Sequence, residues 1–453
     1  MYQNNHNYSG YTPKYFVQAA DVHDELRKLM LADGFDFVLD LQESQGSTFV
    51  DKINGKKYFD FFSFFAAIPI SINHPKLRTD EFIQHLGRTA LNKPSNSDIY
   101  TEEMASFIRT FSKIAVPDYF NHIFLIDGGA LAVENALKTA FDWKVRKNFS
   151  KGFAYEIGHK IIHFEQAFHG RSGYTMSLTN TDPTKVYYYP KFNWPRIVNP
   201  KLQFPLTDET VAKTIQIERT AISQIKQAFS DNKDDIAAII IEPIQCEGGD
   251  NHFRKEFLNQ LKELCLENEA LLIFDEVQTG VGISGKMWAH QHYGVEPDIM
   301  SFGKKTQVCG ILAGPRVDEV ENNVFRTSSR INSTWGGNLV DMVRSTRNFE
   351  IIEEDNLIEN SSEMGKVLAK QIESLVSDFP HILANPRGLG LLRAFSFHSP
   401  ESRNKFRERA YQKGMIILGC GDRSIRFRPT LDISEENINL GMKLVKEILS
   451  EMK

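Results

Sequence analysis

An α/β fold built on a mostly parallel sheet is predicted by two observations. Short, near-continuous apolar runs recur through the middle of the chain, and amphipathic, helix-like stretches separate them. The runs are residues 122–126, 160–164, 236–241, 271–274 and 299–302. Strands buried on both faces read this way, whereas strands with one wet face alternate. Helical patterns such as 133–146 and 253–268 lie between them. Strand–helix alternation is what helices laid over a parallel sheet require.

The two ends differ from this middle. Thr48-Phe49-Val50 and Lys57-Tyr58-Phe59 flank Ile53-Asn54-Gly55, and Asn-Gly between apolar strands predicts a hairpin. Toward the other end, one long charge-rich helix is predicted over about 348–378, then short strands such as 391–397, then a closing helix from Glu435. The predicted division is 1–75 and 346–453, packed together as a smaller α+β domain, around a large domain of 76–345.

A chain of 453 residues can hold more than one domain and a large core. A net charge of −5 offers no basic footprint, so no nucleic-acid partner is expected. The polar start, 1–7, has no basic segment leading into an apolar run, so no secretory signal is expected. The longest apolar run, 236–241, is strand-sized, so no membrane partner is expected. Cys246, Cys265, Cys309 and Cys420 are scattered without metal-ligand spacing. They read as free thiols of a reducing cytoplasm, and no metal is expected. His74, His163, His169, His290 and His292 read as structural.

The chemistry lies where the apolar runs stop. They end in Asp127-Gly128-Gly129-Ala130, in Glu165-Gln166-Ala167-Phe168-His169-Gly170-Arg171, in Glu242 to Gly249, in Asp275-Glu276-Val277-Gln278 and in Gly303-Lys304-Lys305. Open α/β sheets bind ligands beyond the carboxyl ends of their strands, so five such ends outline a pocket. Asp275 and Lys304, 29 residues apart at neighbouring strand ends, suit a pyridinium cofactor. The acid holds the proton on the ring nitrogen; the lysine forms an imine with the cofactor and, once freed, shuttles a proton as general base. Taken singly, Asp275 is a cap and Lys304 a solvated charge; the five ends together favour the functional reading. Gly128-Gly129-Ala130 before a helix suits a phosphate, though glycine there is often only a turn.

Gly280 to Gly285 matches the spacing of a dinucleotide loop. That reading is rejected, because Asp275 and Glu276 would repel a pyrophosphate and the stretch to Gly294 is short for a crossover helix. Phe168 is core or stacks on a cofactor ring. Arg171 is better read as a clamp for a substrate carboxylate than as a surface ion pair. Arg426 and Arg428 share a strand face; one or both are solvated, or a second carboxylate binds there. Glu247 is a loop charge on pattern alone. The run Phe61-Phe62, Phe64-Phe65 reads as core or subunit interface.

These residues resemble a known family. Asp275 to Gly280 followed by Gly303-Lys304 looks like the class III (omega) aminotransferases of fold type I, and Glu242-Pro243-Ile244-Gln245, Asn73-His74-Pro75 and Thr334-Trp335-Gly336-Gly337-Asn338 agree. More narrowly, the stretches 128–138, 302–310 and 330–335 look like those of the L-lysine 6-aminotransferases. The resemblance implies pyridoxal 5'-phosphate as cofactor, with 76–345 as the domain that binds it. It implies that Lys304 is the Schiff-base lysine, that Asp275 pairs with the ring nitrogen, and that Gln278 bonds the ring hydroxyl and faces substrate. Gly129 and Ala130 would hold the phosphate and Phe168 would stack on the ring. Ser333 and Thr334 would reach the phosphate of a second subunit, which implies a homodimer with shared active sites. Arg171 would bind the substrate α-carboxylate and Arg426 the second carboxylate of 2-oxoglutarate or L-glutamate. Glu247 would neutralise Arg426 when the substrate is L-lysine, which has no second carboxylate, because an unpaired buried charge is costly. The expected reaction moves the ε-amino group of L-lysine to 2-oxoglutarate, giving 2-aminoadipate 6-semialdehyde and L-glutamate. Ornithine, 4-aminobutyrate or another ω-amine is the alternative donor, and a non-catalytic amine-binding regulator is the alternative class.

Overall fold

The computed structural model describes residues 11–452; the polar start 1–7, from which no secretory signal is expected, lies outside them. Near the beginning, β1 (Thr48–Val50) and β2 (Lys57–Asp60) pair antiparallel with Phe49 opposite Tyr58. The Asn54 side chain accepts from the Lys56 backbone N–H (2.8 Å) within the connection.

The middle of the chain contributes β3 (His122–Ile126), β4 (Lys160–Phe164), β5 (Arg196–Ile197), β6 (Ile236–Ile241), a short ribbon of β7 (Ile244–Gln245) and β8 (Asn251–His252), then β9 (Leu271–Asp275), β10 (Ile299–Phe302) and β11 (Cys309–Ala313). Seven of these form one sheet in the order β3-β11-β10-β9-β6-β4-β5. From β10 to β5 every pairing is parallel. Strands β6, β9 and β10 are buried along their whole length, which is why they read as unbroken apolar runs. Alternate residues still serve different faces. Ile239 and Ile241 pack with Phe257, Leu258 and Leu261 of the helix Lys255–Glu267, whereas Ala238 and Ile240 pack with Val133, Ala136 and Leu137 of the helix Gly129–Ser150.

Two elements differ from the sequence expectation. Strand β11 was not in the predicted set; it lies between β10 and β3 and runs antiparallel to both. Only residues 303–308 separate it from β10, too few for a crossover, so the chain must return antiparallel. The single helix predicted over 348–378 is two helices, Leu339–Glu354 and Leu357–Asp378. Asn356 sits between them at φ 52°, a left-handed residue that interrupts the hydrogen-bond ladder.

At the other end lie β12 (Leu383–Leu389), β13 (Leu392–Phe397), β14 (Met415–Ile416), β15 (Leu418–Cys420), β16 (Ser424–Phe427) and the closing helix Glu435–Ser450. Strands β12-β13-β16-β15 form an antiparallel sheet, and β14 adds in parallel to β2. The two ends of the chain therefore share a sheet.

One segment joins these ends to the middle under strain. Ser63, Phe64, Phe65 and Ala66 all have φ between 40° and 60°, a left-handed turn of non-glycine residues. Such a turn costs roughly 1–2 kcal/mol per residue and needs external support. The support is specific. The carbonyls of Phe65, Ala66 and Ala67 accept from Lys304 Nζ (3.1 Å), Lys305 Nζ (3.3 Å) and Gln307 Nε2 (2.7 Å), and Ser63 Oγ donates to the Arg428 carbonyl (2.7 Å). Oδ1 of buried Asp60 accepts from the backbone N–H groups of Phe62 (2.7 Å) and Ser63 (2.8 Å). The run of phenylalanines, expected as core or interface, is thus also backbone scaffolding for the loop after β10.

Burial, against those two N–H groups, pushes the Asp60 carboxyl up to about 7. Between its ordinary value and about 7 the folded state keeps a proton that the unfolded chain has lost. Stability therefore falls as pH rises through that window and levels off above it. In Asp60→Asn one oxygen still accepts both N–H groups, and nothing ionises. The variant's advantage in stability over the wild type should grow by on the order of 2–4 kcal/mol between pH 5 and pH 8.5. Urea midpoints at the two pH values check this; an advantage of equal size at both would exclude ionisation of Asp60 as its source.

Candidate active site

The carboxyl ends of β3, β4, β6, β9 and β10 surround a cavity of about 510 Å³. Of the residues singled out in the sequence, Gly129, Ala130, Phe168, Arg171, Glu247, Asp275, Gln278 and Lys304 line it. Arg426, from β16, stands immediately behind. Its Nη1 donates to Gln278 Oε1 (3.0 Å) and its Nη2 to Glu247 Oε2 (2.8 Å). The expectation that Arg426 or Arg428 is solvated is corrected here: both are buried. Arg428 is paired with equally buried Asp250. A lone cation inside a fold is tolerated only with a partner, and each arginine has one.

Asp275 is held by three donors. His169 Nδ1 lies 2.8 Å from its Oδ2, while Ser301 Oγ (3.0 Å) and the Val277 N–H (3.1 Å) donate to Oδ1. His169 is therefore not merely structural, as its spacing suggested; it lines the cavity and orients the central acid. Its position directly after Phe168 at a strand end was the available signal. His290 does behave structurally, its Nδ1 lying 2.8 Å from buried Glu276. Glu242 stands out in the sequence only as part of a motif. It lines the cavity and accepts from the N–H groups of Phe168 (2.9 Å) and Cys246 (3.2 Å). Burial first, and Asp275 next, hold its carboxyl well above the usual range.

Lys304 and Lys305 diverge. Lys304 lines the cavity, and the protein enclosing it, with Arg426 next in effect, pulls its amine down to about 8. Lys305 points away, is 2% exposed, and donates to the carbonyls of Ala66 and Gln278. Burial, then Lys304, brings its amine to about 7. Glu247 reaches the cavity because Gly248 passes against the Gln166 backbone, where an added Cβ would come within 2.1 Å of a carbonyl oxygen. Burial opposes the Glu247 charge, but Arg426 and Lys185 together hold its carboxyl at about 2.

The helix Gly129–Ser150 begins at the cavity without a side-chain cap, after Gly128 turns the chain at φ 98°. Its first backbone N–H groups are free for an anion. Ser333 and Thr334 are not at this cavity. They stand on a largely exposed loop, where the Ser333 carbonyl accepts from Ser97 Oγ (2.8 Å) and Ser333 Oγ accepts from the Gly336 N–H (3.1 Å). The segment Gly280 to Gly285 forms turns, and an added Cβ on Gly280 would meet the Trp288 ring at 2.3 Å, so it presents no phosphate cradle.

A lysine with a lowered amine, a triply anchored carboxylate across the cavity and an uncapped helix start make up the donor set of an enzyme that works through a pyridoxal ring and its phosphate. The sequence matches the family Aminotransferase class-III over residues 31–449. It is 49% identical to the L-lysine-epsilon aminotransferase of Mycobacterium tuberculosis over 429 residues, 94% of this chain and 95% of that one. It is 47% identical to the L-lysine-epsilon aminotransferase of Streptomyces clavuligerus over 431 residues, 94% and 93% of the two chains. The fold matches the lysine aminotransferase from M. tuberculosis in the internal aldimine form with a TM-score of 0.94 at 47% identity, covering 96% of this chain and 100% of that one. The chain belongs to the class-III aminotransferases, and its cofactor is pyridoxal 5'-phosphate. No helix among the described residues is long and apolar enough to cross a membrane.

Proposed function

We propose that this protein is an L-lysine 6-aminotransferase that moves the ε-amino group of L-lysine to 2-oxoglutarate and releases 2-aminoadipate 6-semialdehyde and L-glutamate. The observation that carries the reading is the pairing of Glu247 with Arg426 behind the cavity, while Arg171 lines the cavity with no partner among the described residues. Arg171 takes the α-carboxylate of lysine, which directs the far end of that side chain toward Lys304. Lysine has nothing to offer Arg426, and Glu247 keeps that arginine neutralised. 2-Oxoglutarate has two carboxylates, one for each arginine, and must move Glu247 aside. A single pocket thereby serves both half-reactions of a ping-pong cycle.

Pyridoxal phosphate, when bound, supplies an electron-poor ring that stabilises negative charge at the carbon bearing the transferred nitrogen. The residues around it divide the remaining work. Asp275, oriented by His169 and Ser301, holds a proton at the ring nitrogen. Gln278, tied to Arg426, would bond the ring hydroxyl. The N–H groups of Gly129 and Ala130 would hold the phosphate, and Phe168 would cover a ring face. Lys304, with its amine near 8, takes up the proton from the substrate carbon that bears the transferred nitrogen.

We further read the protein as a cytoplasmic homodimer with no nucleic-acid or membrane partner, in which Ser333 and Thr334 serve the phosphate of the other subunit. Their exposed loop, and exposed Leu91, Tyr100 and Leu131, support that reading. In our division of the chain, the domain of 76–345 lines the cavity and the domain of 1–75 with 346–453 brings Arg426 to it.

The test uses L-lysine carrying nitrogen-15 on the ε-amine only, with 2-oxoglutarate and the holoenzyme, and mass spectrometry of the glutamate. Labelled glutamate is expected. Unlabelled glutamate would mean transfer of the α-amine and a wrong role for Arg171. No glutamate from lysine would move the assignment to ornithine, 4-aminobutyrate or another ω-amine.

A further inference from the structure

Glu247 bridges two cations, one through each oxygen. Lys185 Nζ donates to its Oε1 (2.7 Å) and Arg426 Nη2 to its Oε2 (2.8 Å). The two cations differ in setting. The Arg426 side chain is 3% exposed and also bound to Gln278; that of Lys185 is 26% exposed. Lys185 ends the short turn Pro183–Lys185, which is capped by Asp182 accepting from the Thr184 N–H (2.9 Å). Its ammonium also lies 5.3 Å from the centre of the Phe168 ring. The lysine is thus held from two sides, by a carboxylate and by an aromatic face.

A dicarboxylate that binds Arg426 must displace Glu247. A carboxylate released into a part-buried wall without a partner is costly. We propose that Lys185 is a positioning residue, the station to which Glu247 withdraws when a substrate carboxylate takes Arg426. This rests on the reading above that one pocket serves an amine and a dicarboxylate in turn. Loss of Lys185 acts twice in one direction. Arg426 loses its competitor for Glu247, and the displaced carboxylate loses its partner. Both effects weaken dicarboxylate binding, and neither weakens the binding of lysine.

The test is calorimetric titration of the holoenzyme with glutarate, a dicarboxylate that cannot accept an amino group. Wild type, Lys185→Met, Lys185→Arg, Glu247→Gln and the double variant Lys185→Met/Glu247→Gln are compared. Lys185→Met should weaken glutarate about tenfold, the effect of one charge-assisted hydrogen bond. Lys185→Arg should restore it to within about twofold, since the charge and a donor remain. In the Glu247→Gln background the loss should shrink below about twofold, because Lys185 then has no carboxylate to hold. KM for 2-oxoglutarate should follow glutarate, while KM for L-lysine stays. An equal loss in both backgrounds would make Lys185 a plain charge at the mouth and overturn the proposal. So would unchanged glutarate affinity in Lys185→Met, or an equal rise in KM for lysine. The expected glutarate pattern across the variants, in an enzyme that takes no nitrogen from lysine, would sink the donor reading alone and leave the withdrawal of Glu247 standing.

Discussion

Lys304→Ala should lower transamination from L-lysine to 2-oxoglutarate by at least about 10³-fold, because it removes both the group that bonds the cofactor and the proton carrier. The fold should survive. Among the described residues the Lys304 side chain makes one hydrogen bond, to the Phe65 carbonyl, and Lys305 and Gln307 still support the neighbouring carbonyls of the left-handed turn. Lys305 offers no rescue, since its amine is turned onto the carbonyls of Ala66 and Gln278 and away from the cavity. Initial rates at saturating cofactor, with circular dichroism to check folding, decide the matter. A folded variant that retains a tenth or more of the wild-type rate would remove Lys304 from the reaction. Lys305→Met separates the two amines in the opposite sense: its primary damage should be to stability, through the unsupported Ala66 carbonyl.

Asp250→Ala should destabilise the protein by about 3–5 kcal/mol, because it leaves a wholly buried guanidinium without its counter-charge. The side chains of Arg428 and Asp250 are both fully buried; burial opposes the guanidinium charge, but Asp250, foremost among the groups that favour it, helps keep its proton held more tightly than usual. Among the described residues the Arg428 guanidinium retains only the Phe427 carbonyl (2.8 Å) as an acceptor once the carboxylate is gone. The pair as a unit is a different matter. Arg428→Met combined with Asp250→Leu removes both charges together and should recover most of the loss, since apolar replacements of a buried pair are often neutral or better. Urea unfolding of the single and double variants tests this. A double variant as unstable as Asp250→Ala would show that packing, and not the unpaired charge, sets the cost. The Asp250 side chain also ties the loop that carries Glu247 to Arg428, so the single variant should lose dicarboxylate affinity before it loses the fold.

Much of the site is legible along the chain because parallel strands, buried on both faces, are unbroken apolar runs whose ends are sharply marked. Asp275, Lys304 and the glycines before the helix Gly129–Ser150 all sit at such ends. Strand β11 escaped because it follows β10 by a turn of only a few residues rather than a helix. The break at Asn356 escaped because the charged and apolar pattern runs on through it, while the left-handed angle that stops the ladder belongs to one residue. Ser63 to Ala66 gave no warning either. Non-glycine residues enter that conformation only under outside constraint, and here the constraint comes from side chains more than two hundred positions away.

The sequence by itself determined the α/β class, the order of the central strands along the chain, and the chemical types available where those strands stop. These are local properties, carried by periodicity and by the residues that interrupt it. Apart from Glu247 and Arg426, whose pairing the family resemblance implied, which charges meet was decided only by the tertiary structure. Glu247 lies 62 positions from Lys185 and 179 from Arg426, yet it bonds both. His169 and Asp275 are 106 apart and share a hydrogen bond. Periodicity carries no information about such pairs. They form because the sheet brings its strand ends to one rim and the C-terminal strands close over it, where each buried charge must find a partner or raise the free energy of the fold.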